Sequence, residues 1–351
     1  MNEFSSPAME RDRKGIRMVC AGRLGRPMAA LILLSIVGSG YGIVSQAGHP
    51  NNQADNLDVR YQPERAPRTV RGRIGTASAS PEALQELAAG RRALEGALPT
   101  VKITTNEVLG SPLKLTSRNG YLTSETTKLT PEQVVRGFVT QHAQAFGLRR
   151  DQFDDHIKTD ASYQNPRNGQ RWVRLKQEIA GIPVFQGELT ALVNQKGQLT
   201  SLVNGMAPAL AEKAVLSNPI ALTAEDAVLI AGSDVGLPVE ADELIRLETS
   251  EDNQPIRFER TSNLSIIQAE RVIFPLGPGQ AVVGWQVTLI GDEGYTVVVH
   301  AADGGILFRK NLKANQTQTA TFEYYEGDSP APFTPYPFPP VPHPTQPPQY
   351  A

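Results

Sequence analysis

The run Leu129-Thr130-Pro131-Glu132-Gln133-Val134-Val135 has a counterpart in Leu222-Thr223-Ala224-Glu225-Asp226-Ala227-Val228. Each reads as a helix start: a threonine able to cap, followed by acid in the first turn. In the first, Gln133 can return the bond as a capping box and Pro131 suits the first helical position. Leu129 and Val134 stand where a hydrophobic staple forms. Val134, Val135, Phe138, Val139, Ala143 and Phe146 then make one apolar face, and Gly147 is the expected stop. The second helix is expected to end near Gly232 or Gly236.

Alternating segments follow each helix. Arg171–Ile179 sets Trp172, Arg174, Lys176 and Glu178 on one face, and Val173, Leu175, Gln177 and Ile179 on the other. Gly181-Ile182-Pro183 breaks this pattern. Val184–Val193 reads as a second strand, Asn194–Gly197 as a turn and Gln198–Val203 as a third strand. After the second helix come Arg271–Pro275, Ala281–Ile290, Tyr295–His300, a turn at Asp303-Gly304-Gly305, and Ile306–Leu312. These connections are too short for crossovers, so antiparallel pairing is expected. TALVNQKGQL from Thr190 also resembles TVVVHAADGGIL from Thr296. The predicted fold is α+β: two repeated modules of a capped helix packed on an antiparallel β meander, flanked by disordered ends.

The predicted organisation is a signal peptide or anchor over 1–47, a linker with one helix over 48–99, and modules over 100–205 and 206–325. A Pro-rich tail occupies 326–351. The basic flank Arg11 to Arg26 and the apolar core Met28–Val37 fit an export signal. Cleavage after Ala47 is one outcome and an uncleaved anchor to about Val44 the other, so any membrane contact runs through this segment. Gly48 to about Ser80 is polar, with scattered Pro, Arg, Asn and Gly, and reads as linker. Ser80-Pro81-Glu82 opens a helix with Leu84, Leu87, Arg91 and Leu94 on one face. Val101–Thr116 alternates weakly, as strands do, and Thr319–Tyr325 is one more candidate strand. Between Pro330 and Pro348 about half the residues are proline, which favours polyproline II.

The chemistry of the chain is narrow. Its one cysteine, Cys20, precedes the apolar run, so the exported part can hold no disulfide, thiolate metal site or cysteine nucleophile. A net charge of −2 gives no sign of a nucleic-acid partner. None of His49, His142, His156, His300 and His343 begins an HExxH, the zinc-binding pair with its glutamate base. There is no Gly-x-Ser-x-Gly elbow and no phosphate-binding loop. His142, with no second ligand at helical spacing, reads as a surface or boundary histidine and Asp303 as a turn residue. Asp151, Asp154, Asp155 and Asp160 are best read as solvated loop charge, without the spacing of a calcium-binding hand. Asn263-Leu264-Ser265 and Asn315-Gln316-Thr317 match the glycosylation sequon. No catalytic, cofactor-binding or metal-binding residue is assigned, and no cofactor is expected.

QHAQAFGL followed by RWVRLKQEIAGIPVFQGELTALVNQKGQLTSLVNG resembles the propeptide of fungalysin and thermolysin-like metallopeptidases. Such prosegments join an FTP region to PepSY-type modules. The most specific piece is Gly-Ile-Pro-Val-x-x-Gly-Glu, from Gly181 to Glu188. GWQVTLIGDEGYTVVVHAADGGILFRKNL resembles the next prosegment module, and TATFEYYEGDSPAPFTP the junction to the peptidase. A full fungalysin continues into a domain carrying HExxH, whereas this sequence runs into its Pro-rich tail. The resemblance therefore implies a secreted or extracytoplasmic, non-catalytic folding chaperone and inhibitor, partnered by a secreted fungalysin or thermolysin-like metallopeptidase. The alternatives are a truncated remnant of such a peptidase, or a general extracytoplasmic interaction module.

Overall fold

The computed structural model describes residues 54–126, 128–150, 153–166, 168–247, 255–259, 261 and 264–313, plus the backbone pairing of Glu323–Tyr324 with Val341–Pro342. The export segment, Asp151, the asparagines of both sequons (Asn263 and Asn315), and the rest of the Pro-rich tail lie outside the described residues.

In chain order the elements are β1 (Leu57–Asp58), α1 (Arg68–Arg71), α2 (Pro81–Ala97), β2 (Val101–Thr105), β3 (Pro112–Ser117), α3 (Pro131–Gln141) and α4 (Phe153–His156). Then come β4 (Ile157–Gln164), β5 (Arg171–Ile179), β6 (Ile182–Val193), β7 (Leu199–Asn204), α5 (Glu212–Leu216) and α6 (Ala224–Asp234). The series closes with β8 (Arg246–Leu247), β9 (Ile256–Phe258), β10 (Leu264–Gly277), β11 (Gln280–Gly291), β12 (Gly294–His300) and β13 (Ile306–Asn311). These thirteen strands join in a mixed α+β arrangement, in the main order β1-β13-β12-β11-β10-β6-β7-β3-β2, and the pair Glu323–Tyr324 and Val341–Pro342 stands apart from it. Pairing is antiparallel except where β6 meets β10, through Val184 and Ile273.

Both capping boxes form. Thr130 Oγ1 accepts from Gln133 N while Gln133 Oε1 accepts from Thr130 N, and Thr223 and Asp226 exchange the same two bonds. Each satisfies two amide donors that a helix start leaves without intrahelical partners. Helix α3 is shorter than its apolar face implies: it stops at Gln141, a 3-10 turn carries Ala143–Phe146, and Gly147 closes that turn in the left-handed region.

The apolar face of α3 packs with Leu94 of α2 against Leu115, Val173, Leu175, Leu189, Ala191 and Leu202 of β3, β5, β6 and β7. Around α6, Ala227, Val228 and Ala231 meet Ile267, Ile273, Val283, Trp285 and Val297. The Trp285 indole donates to the Leu222 carbonyl at 3.0 Å, which ties the start of α6 to β11. Sorting β5 by alternate residues predicts its faces: Val173, Leu175, Gln177 and Ile179 are buried.

Within the described residues, the reading of the stretch up to about Ser80 as a linker without a core is corrected. Leu57, Val59, Ala66 and Val70 are buried with Phe185, Phe274, Val298 and Phe308, on the face of β10–β13 that α6 leaves open. β1 pairs with β13, and Arg309 of β13 bridges the Asp55 carbonyl and the Asp234 carboxylate of α6. Residues 54–78 therefore act as a strap. Their apolar positions follow no helical or strand period, because the sheet selects them one at a time.

Candidate functional site

Gly181–Glu188 forms a corner where β6 changes partners. Ala180 and Gly181 make a two-residue connection with φ of 50° and 76°, the left-handed geometry that suits a tight hairpin. The strand therefore starts at Ile182, and Pro183 lies within it rather than ending it. Pairing with β5 then loops out between Pro183 and Glu188, leaving Gln177 to face the gap. The Gln177 side chain fills it as a surrogate backbone, donating to the Ala207 carbonyl at 3.0 Å and accepting from Ala207 N at 2.8 Å. Gly205 closes the corner by donating to the Glu188 carbonyl at 2.7 Å. A Cβ on Gly205 would stand 2.4 Å from the Gln186 carbonyl oxygen, so only glycine fits.

Val184 and Phe185 are thereby carried into the second part of the sheet. The Phe185 ring stacks on Phe274 at 5.3 Å and meets Phe308 edge-on at 4.9 Å. From the strap, the Arg60 guanidinium lies 5.0 Å from the Phe274 centroid and 5.6 Å from that of Phe185. It is held by Asp58 at 2.7 Å and donates to Gln186 at 2.6 Å. Nothing in the sequence pointed to Arg60 or Asp58. Gln177 left a trace, as the one polar residue on an apolar face.

Among the described residues, no helix packs on one face of β2, β3, β7, β6, β5 and β4. Registered rows run Lys102, Thr116, Ser201, Leu192, Trp172, Tyr163 and, beside it, Thr104, Lys114, Val203, Thr190, Arg174, Ala161. Asp160 sits at a bulge in β4 and pairs with Arg174 and with Lys176 at 2.8 Å. Burial alone would raise the Asp160 carboxyl, but Lys176 and Arg174 outweigh it and hold the group below the usual carboxylate range. Glu270 of β10, half-buried, goes the other way. Burial raises it, Lys176 lowers it and Glu178 adds a smaller upward push.

A carboxyl whose folded pKa lies above its unfolded one adds relative stability below the unfolded value and loses it as pH rises through the folded value. Glu270→Gln should therefore raise the melting temperature at pH 7 and leave it nearly unchanged near pH 4. Equal melting temperatures at pH 7, measured by circular dichroism, would contradict the burial cost.

The described histidines, His142, His156 and His300, do not converge. His142 caps α3 against the Phe138 ring, its pKa lowered by burial and by Arg150. His156 lies 3.6 Å from Glu212. His300 Nδ1 meets Asp303 Oδ1 at 2.6 Å, and Asp303 accepts from Thr69 at 2.5 Å and from Gly305 N at 3.0 Å. The Thr69 hydroxyl thus points at the carboxylate rather than at the imidazole, which is not the order a nucleophile and base require. Asp154 pairs with Arg136. Among the described residues no three His, Cys, Asp or Glu side chains are grouped to hold a metal, and no helix is long and apolar enough to cross a membrane.

The Fungalysin/Thermolysin Propeptide Motif matches residues 159–205. The match runs from within β4 to the closing Gly205, so it takes in the corner and most of the helix-free face. Among solved structures, the C-terminal domain of Bacillus megaterium YpeB aligns over 67% of this chain and 98% of its own length, at 10% identity and a TM-score of 0.23. No curated protein matches the sequence.

Proposed function

We propose that this chain is a non-catalytic, propeptide-like protein that binds a secreted thermolysin-like zinc metallopeptidase, templates its folding and blocks its cleft. The observation that carries this reading is the propeptide motif over 159–205, which falls on a hairpin set held by buried hydrogen bonds. A partner that binds only the native state favours folding by mass action, and a preorganised surface spends little on ordering when it binds. The chain needs no catalytic residue, metal or cofactor of its own for this role, and it works outside the cytoplasm.

The proposal includes two repeated modules, 100–205 and 206–325, the first FTP-like and the second PepSY-like. Matching turns support it. Asn194 N donates to the Gln198 carbonyl and Gly197 N to that of Asn194, while His300 N donates to the Gly305 carbonyl and Gly304 N to that of His300. Gly197 and Gly304 share left-handed φ values of 73° and 78°. Together with the two capping boxes, these bonds recur at corresponding points of the two meanders.

The test titrates the full-length protein against an active thermolysin-like peptidase from the same organism. Activity is expected to fall reversibly as the protein is added. Full activity at about 10 μM folded protein, an affinity weaker than about −7 kcal/mol, would contradict the proposal.

A further inference from the structure

The two parts of the sheet differ in what covers their second face. Behind β10–β13 the strap seals the surface opposite α6. Behind β2–β7 no described segment does so: α2 and α3 both pack on the other face, and Leu192 and Val203 belong to no buried cluster. Tyr163 and Trp172 are cross-strand partners on this face, 62% and 49% exposed. Tryptophan, tyrosine and arginine are the side chains that dominate binding energy at protein interfaces, and Arg174 sits two residues from Trp172 on the same face. Basic side chains are in modest excess. Lys102, Lys114, Lys158, Arg174 and Lys176 outnumber Asp160, Glu178 and Glu188 there, in a chain whose net charge is −2.

We propose that this helix-free face of β2–β7 is the docking surface for the peptidase, with Trp172 and Tyr163 as anchors and Lys102 and Lys114 meeting an acidic rim on the partner. This rests on the propeptide-like reading above and adds the surface and the charge of its counterpart. Asp160 fixes the Arg174 and Lys176 heads beside the aromatic pair, so the central contacts are preorganised. The outlying lysines steer the approach over a distance that salt screens.

The experiment measures the inhibition constant for the full-length protein and three variants: Trp172→Ala with Tyr163→Ala, Lys102→Glu with Lys114→Glu, and Ile245→Ala as an exposed control distant in sequence. The aromatic variant should inhibit about tenfold or more weakly, at the level of a lost hot spot, with an unchanged melting temperature. The lysine variant should associate more slowly and lose most of the salt dependence seen in the unsubstituted protein, while the control stays unchanged. If the unsubstituted protein inhibits and both face variants match it, the face is wrong and the propeptide-like reading stands. If the unsubstituted protein does not inhibit at all, both fall. Sedimentation with phosphatidylserine vesicles that depends on these residues, with inhibition untouched, would overturn the proposal in favour of a membrane surface.

Discussion

Phe185→Ala is expected to destabilise the protein by about 3–5 kcal/mol, the range for removing a buried phenylalanine. The ring is 6% exposed, between Phe274 and Phe308 and beneath Arg60. Three separate pieces of chain meet on it: the β5–β6 corner, the strands β10 and β13, and the strap. No single one of them can close over the vacated space, so the cavity cost should lie near the upper end. The readout is a lower urea midpoint with little change in slope, accompanied by faster proteolysis within 54–78. A midpoint equal to that of the unsubstituted protein would mean that the corner does not hold the strap.

Phe146→Ala should cost a similar amount, about 3–5 kcal/mol, but through a different core. Phe146 is fully buried at the end of the 3-10 turn that follows α3. That turn crosses α2 so closely that a Cβ on Gly90 would stand 2.4 Å from the Ala145 amide nitrogen and the Gln144 carbonyl carbon. The backbone is pinned there, which limits collapse into the cavity. Inhibition of the peptidase should weaken in step with the unfolded fraction, because the contact face needs an intact sheet beneath it. Undiminished inhibition by a protein shown to be unfolded would contradict the preorganised-surface account.

Much of the local structure was legible in residue types. Thr130 and Thr223 announced their helices because capping chemistry is local, and the alternation of β5 gave its buried face because one side packs on α3. What could not be read was set by distant contacts. β4 went unrecognised because it is an edge strand in which every residue after Ile157 is exposed, so it shows no alternation. The strap looked like linker because Val59 and Val70 are buried by strands more than a hundred residues away. The corner at Gly181–Glu188 was visible as a motif, but its role in passing β6 from one set of partners to another depends on Ile273. The helix-free face was half legible. Trp172, Arg174, Lys176 and Glu178 were assigned to one side of a strand, yet nothing local says that the neighbouring strands leave that side open.

The most direct measurement is the mass of the species formed when full-length protein is mixed with a catalytically inactivated thermolysin-like peptidase from the same organism. Size-exclusion chromatography with light scattering, at about 10 μM of each and low salt, reads it without any dependence on activity. The account predicts one peak at the summed mass of a one-to-one complex, shifting towards the separate proteins as salt rises. Two unshifted peaks at low salt, with both proteins folded, would contradict it.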